Sequence, residues 1–147
     1  MHPRAEDHLA NWEWRGVAIA YVCSFFLPAL RTTGNFGTLW GVQAFVGGMI
    51  ALLDFHPYWL ANPVFWCGAI ALRMSRWKVA VWCGVFALFL GTTLPILLSV
   101  ESQRIQPPPG TTSVLMPGYY VWLASFAGLA LVAFRVGLRN ASQEGER

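Results

Sequence analysis

The sequence predicts an all-α, polytopic transmembrane helix bundle, and three observations carry that reading. Of its 147 residues 56% are hydrophobic and only 12% are charged, and the mean hydropathy is +0.47. Soluble domains carry roughly 25% charged residues, and a small soluble body needs a polar skin because it has much surface per volume. The charged residues also sit at the margins of long apolar runs rather than within them. Finally, the runs lack the strict polar–apolar alternation of a barrel strand and approach the roughly 20 residues that a helix needs to cross a bilayer. A helix bonds its own backbone groups, which hydrocarbon requires.

The first run, residues 12–30, has few apolar residues for a span unless Trp12 and Trp14 form its interfacial end. Its leader is acidic as well as basic (Arg4, Glu6, Asp7, Glu13), and Ala20-Tyr21-Val22 is a poor lipoprotein cleavage pattern before Cys23. An uncleaved helix is therefore expected.

Residues 37–53 hold four glycines and Gln43. Seventeen helical residues cover about 26 Å, close to the roughly 30 Å hydrocarbon core. This segment either crosses as a fifth span or enters and leaves on one side as a re-entrant piece.

The third run, 57–72, opens with Pro57, Tyr58 and Trp59 and leaves into the basic stretch Arg73–Lys78. Pro57 suits a first helical turn. Pro63 disfavours helical geometry at Asn62 and marks a helix start or a bend. Residues 79–100 form the clearest span. Pro95 within it leaves the carbonyl of Gly91 without its usual donor, and Thr92 and Thr93 can bond nearby carbonyls. The last span, 118–135, follows Pro117, with Tyr119, Tyr120 and Trp122 as an interfacial aromatic belt. Between these two, the Pro-rich loop is stiff and extended. Residues 136–147 are a short polar tail.

Basic residues favour the cytoplasmic side. With four spans and 37–53 embedded from the outer side, Arg4, Arg15, Arg73, Arg76, Lys78, Arg135, Arg139 and Arg147 lie inside, and Arg31 and Arg104 outside. Five spans move the N-terminus outside and give seven to three. Four spans are the preferred reading, and both arrangements put the C-terminus in the cytoplasm. Arg73, Arg76, Lys78, Arg135 and Arg139 read as topology anchors.

The chemistry-bearing motifs are few. Cys23, Cys67 and Cys83 lie within apolar runs and read as small buried hydrophobes. No metal-ligand spacing, dinucleotide fingerprint or phosphate loop occurs, so no metal, cofactor or catalytic residue is assigned. The net charge of +3 forms no patch with interleaved stacking aromatics, which argues against nucleic acid. Asp54 and His56, beside Tyr58, form the best polar pair. They read either as an outward proton, metal or headgroup site or as a wetted helix end favoured by the helix dipole. Gln43 and Asn62 read as interhelical hydrogen-bonding groups. They would join Asp54 and His56 in an outer-mouth cluster if 37–53 folds back onto the third run. Gly37/Gly41, Ala87/Gly91 and Ala124/Gly128 are small-residue pairs that permit close helix approach, within the chain or between copies.

Trp59-Leu60-Ala61-Asn62-Pro63, with Leu27-Pro28-Ala29, Arg76-Trp77 and the later 118–125, resembles a group of small bacterial polytopic inner-membrane proteins. The resemblance implies a bacterial inner membrane and several helices, and it carries over no catalytic or binding residue. The expected role is a non-enzymatic structural or interaction component, partnered by the lipid bilayer and by a second copy or another membrane protein. A small transporter or channel subunit is the alternative, with a polar path through Gln43, Asn62, Thr92 and Thr93. A lipid-acting membrane enzyme using Asp54 and His56 comes third.

Overall fold

The computed structural model describes residues 5–32, 37–51, 57–104 and 113–145. They run as α1 (Ala5–Ser24), β1 (Pro28–Thr32), β2 (Gly37–Trp40), α2 (Gly41–Ala51), a 3-10 turn (Pro57–Leu60), α3 (Ala61–Arg73), α4 (Trp77–Arg104), β3 (Ser113–Leu115) and α5 (Pro117–Gly145). The chain is mostly helical, as its apolar runs predict. The all-α expectation needs one correction: a three-stranded antiparallel sheet with order β2-β1-β3 joins the helices.

The sheet begins where α1 is stopped. Pro28 has no N–H to give the carbonyl of Ser24 and disfavours helical geometry at Leu27. The first helix therefore ends at Ser24 rather than near residue 30, and the chain continues as strand. β1 pairs Arg31 with Thr38 of β2 and with Val114 of β3. The stretch before α5 is thus tied back to the end of α1.

α2 then starts directly on that junction. Its first N–H groups, from Gly41 and Val42, donate to the carbonyls of Leu27 and Phe25 at 2.9 and 3.0 Å. The exposed donors of the α2 start are met by carbonyls of the turn that follows α1. Gly41 sits so close to the Ser24 carbonyl that a Cβ there would collide with it. Eleven residues make α2, about 16 Å of helix. It folds back over the 3-10 turn, where Gly48 leaves room for Trp59.

Two helical stretches, Trp77–Val100 and Pro117–Gln143, are long and apolar enough to cross a membrane. Only 22% and 33% of their most apolar windows are buried inside the protein, whereas the core helix of a soluble domain would be mostly covered. Large apolar side chains point outward along them, including Trp82, Phe89, Ile96 and Leu131.

α4 packs between α3 and α5, and α5 packs on α1. Gly84 lies against the backbone of Ala130, Gly91 against Leu123, and Gly128 against Val17. The Ala87/Gly91 face, and Gly128, are therefore used inside the chain, whereas Ala124 is exposed. Gly37 and Gly41 do not share a helix face, because β2 separates them. The ring of helices closes between α1 and α3 through side chains: Tyr21 stacks on Phe65 with 4.4 Å between centroids.

Arg15, Arg73, Arg76, Lys78, Arg135 and Arg139 gather at the end of the bundle away from the sheet, whereas Arg31 lies in β1. Glu13 of α1 meets Arg135 and Arg139 of α5 at 3.3 and 3.7 Å, which also makes α1 and α5 antiparallel. Trp77 lies against Gly137, and Lys78 sits over the Trp77 ring. The α3–α4 turn at this end is a Schellman motif, with Ser75 N–H bonded to Leu72 and Arg76 N–H to Ala71. Ser75 holds φ at +58°, a left-handed conformation that favours glycine.

Three outcomes follow for stability, measured by thermal or denaturant unfolding in detergent. Ser75→Gly should raise stability by about 0.5–1 kcal/mol, because the left-handed strain is removed. Gly84→Ala should cost about 1–3 kcal/mol, since its Cβ meets helix backbone. Gly91→Ala should cost less, because its nearest neighbour is the end of the Leu123 side chain.

Candidate functional site

The most ordered polar feature is built on Asn62. It stands in the first turn of α3, at the start that Pro63 marks, because a proline in that turn lacks only an N–H that needs no helical partner. Asn62 is 4% exposed. Its Oδ1 accepts from Tyr21 Oη of α1 at 2.9 Å and from Trp122 Nε1 of α5 at 2.9 Å. Its Nδ2 donates to the Trp59 carbonyl at 3.1 Å. One amide thus joins three helices and the 3-10 turn. A buried amide requires such partners, since an unmet polar group costs about 1–3 kcal/mol.

Trp59 carries the connection onward. Its Nε1 donates to the Phe45 carbonyl of α2 at 3.0 Å, and Phe45 packs edge-on to Phe25 at 5.2 Å. Tyr119 makes a related bond on the other side. Its Oη donates to the carbonyl of Gly91 at 3.1 Å, the acceptor that Pro95 leaves without a helical donor. Thr92 and Thr93 bond the carbonyls of Phe89 and Leu90 on their own helix at 2.7 and 2.6 Å.

Above the amide lies a cavity of about 250 Å³, roofed by β1, β2 and α2 and floored by Asn62 and Trp122. Its walls are chiefly apolar and aromatic, with Phe25, Leu39, Phe45, Trp59 and Tyr119 among them. Gln43 and Asn62 both line it. They do different work. Gln43 Oε1 accepts from the Trp40 N–H at 3.0 Å, reaching back from the third residue of α2 to cap its start, which is half of a capping box. Asn62 is the bundle's internal junction.

Asp54 and His56, the other half of the expected cluster, lie outside the described residues. Among the anchors, Arg73 and Arg76 are exposed and Arg135 and Arg139 reach Glu13. Cys23 and Cys67 are exposed and Cys83 is half-buried. This corrects the reading of Cys23 and Cys67 as buried hydrophobes, since they occupy outward helix faces, whereas Cys83 lies against Gly68 of α3. Tyr119 turns inward, while Tyr120 beside it stays exposed. Among the described residues no three His, Cys, Asp or Glu side chains cluster as a metal site would need.

Sequence reasoning passed over Tyr21. The available signal was a single hydroxyl within the apolar first run, because a buried tyrosine normally finds a partner for its O–H. Trp122 was read only as an interfacial anchor. Comparison of the chain with protein-family models, curated proteins and solved structures returns no match.

Removing the junction should separate from removing one of its arms. Asn62→Leu leaves two donors and one carbonyl without partners and should cost about 1–3 kcal/mol. Tyr21→Phe removes one interhelical bond and should cost about 0.6 kcal/mol, the average for such bonds in membranes. Reversible unfolding in mixed micelles checks both, and equal costs would mean that Asn62 joins nothing beyond Tyr21.

Proposed function

We propose that the chain is a small non-enzymatic membrane component that crosses the bilayer four times, through α1, α3, α4 and α5. In this reading α2 and the sheet form a cap on the outer side. The observation that carries it is the separation of surfaces. Large apolar side chains face outward along the helices, and Arg15, Arg73, Arg76, Lys78, Arg135 and Arg139 stand at the end opposite the sheet. Lipid accounts for the apolar belt, and the attraction of basic residues to the cytoplasmic side accounts for the charge.

Helix lengths support the same count. Twenty residues of α1 make about 30 Å, of which the charge-free part, residues 16–24, makes about 14 Å and the remainder carries Glu6, Asp7, Glu13 and Arg15 at the basic end. The thirteen of α3 with the four of the 3-10 turn make about 28 Å. At about 16 Å, α2 is roughly half of a 30 Å hydrocarbon core, which favours an embedded piece over a fifth span. The basic end would face the cytoplasm, and the resemblance around Trp59–Pro63 points to a bacterial inner membrane.

A structural or interaction role draws support from how the inner amide and indoles are used: the bonds they make are to the chain itself, while Glu13 Oε2 is the buried side-chain oxygen left without a partner among the described residues. Asn62, Trp59 and Trp122 hold the bundle together, and the cavity is chiefly apolar. The transporter alternative draws less. Thr92 is exposed and bonded on its own helix, and neither Thr92 nor Thr93 lines the cavity with Gln43 and Asn62.

Single cysteines in a background without Cys23, Cys67 and Cys83 test the crossing number. His8→Cys should be shielded from an impermeant thiol reagent in intact cells, and Phe36→Cys should be labelled. The reverse pattern means five crossings. For the interaction role, cross-linking in the native membrane followed by mild extraction should yield species larger than the monomer, and a lone monomer would overturn it.

A further inference from the structure

α1 and α3 are held apart rather than packed flush. Tyr21 lies flat on Phe65 and edge-on to Trp66, the latter at 5.5 Å. These rings fill the gap between the two helices near their outer ends. Toward the basic end the residues in the gap shrink to Ala18 and Ala69, which leaves an open groove of about 410 Å³. Trp14, Ile19, Trp66 and Ile70 form its sides. Ile19, Trp66 and Ile70 are exposed there.

Two guanidiniums belong to this groove, Arg15 from α1 and Arg73 from the last turn of α3. Arg15 rests over the Trp12 ring at 5.7 Å. Among the described residues neither arginine is in an ion pair, and no acidic side chain lines the groove. Glu13, two residues from Arg15, is already engaged with Arg135 and Arg139. Among the described residues the groove therefore joins two unpaired positive charges to an apolar trough about one and a half turns long, about 8 Å of helix.

We propose that this groove holds one anionic phospholipid. Arg15 and Arg73 take the headgroup phosphate, for which the planar guanidinium offers paired donors. The upper part of one acyl chain lies over Ala18 and Ala69, between Trp66, Ile19 and Ile70. The inference rests on the membrane reading above. It goes further, because Arg73 becomes half of a lipid site rather than a general anchor.

The test uses the full chain extracted in a neutral detergent, supplied with dioleoyl phosphatidylglycerol or dioleoyl phosphatidylcholine at equal mole fraction. Native mass spectrometry counts the lipid retained. One phosphatidylglycerol should stay bound, at least about tenfold more firmly than phosphatidylcholine, as two basic contacts to an anionic headgroup imply. Arg15→Gln with Arg73→Gln should remove that preference. Arg76→Gln with Lys78→Gln changes the charge equally at the same end and should leave retention within about twofold. Equal losses in the two pairs would mean diffuse attraction and overturn the site.

Two further arms test the trough. Ala18→Phe fills it while keeping both arginines and should expel the lipid. Dihexanoyl phosphatidylglycerol should be retained less than the dioleoyl form on the unmodified chain, which needs no variant to fold. Equal retention of the two lipids, or displacement of the lipid by excess glycerol phosphate, would overturn a seated acyl chain. A chain that stays in the aqueous phase without detergent would instead overturn the membrane reading, and that result is read before any lipid is added.

Discussion

The carbonyl oxygen of Asn62 is the point on which the arrangement of helices depends. It accepts one hydrogen bond from Tyr21 of α1 and another from Trp122 of α5, while its amide nitrogen donates to the turn that precedes α3. A buried amide is tolerated only with its partners in place. Meeting that demand fixes Tyr21, and a fixed Tyr21 is what stacks on Phe65 and spaces α1 from α3. The same demand turns the Trp122 indole inward to floor the outer cavity. The cavity at one end and the groove nearer the other are two consequences of how one side chain is satisfied.

Backbone groups obey the same constraint. Prolines interrupt the helical pattern at two places, and at each the protein supplies partners for the exposed carbonyls. At the end of α1 the Ser24 carbonyl takes the Leu27 N–H, and the first turn of α2 donates to the Phe25 and Leu27 carbonyls of the turn that follows, which ties α2 back onto it. Inside α4 the carbonyl opposite Pro95 is taken by the Tyr119 hydroxyl, which fixes the start of α5 against the middle of α4. The sheet extends this logic. β1 leaves α1 with a row of donors and acceptors, and β2 and β3 cover it on both sides. In hydrocarbon or at its edge, no water replaces such partners cheaply.

Small residues decide which helices touch, and charge decides which end is which. Gly84 and Gly91 bring α4 onto α5, and Gly128 admits Val17 of α1. Their effect is internal, and the larger apolar side chains are the ones left on the outer surface. The ion pairs of Glu13 with Arg135 and Arg139 are partly exposed and contribute little stability on their own. Their value is in orientation, since they keep the first and last helices antiparallel with their basic residues together.

The sequence alone determined the apolar runs and the starts of α4 and α5, because these follow from local composition and from proline, whereas α1 stops at Ser24 and α5 continues through the expected polar tail to Gly145. It also singled out Gln43 and Asn62, since an amide in an apolar setting is conspicuous. It did not separate them into a helix cap and a three-helix junction, and Tyr21 was hidden because its hydroxyl is small beside its ring. The sheet was not legible for a different reason: residues 28–32 and 113–115 are short and far apart in the chain, and neither shows the alternation that would mark a strand by itself. Only the tertiary structure brings their backbones together, because their pairing is set by where α1 ends and α5 begins rather than by any preference within either segment.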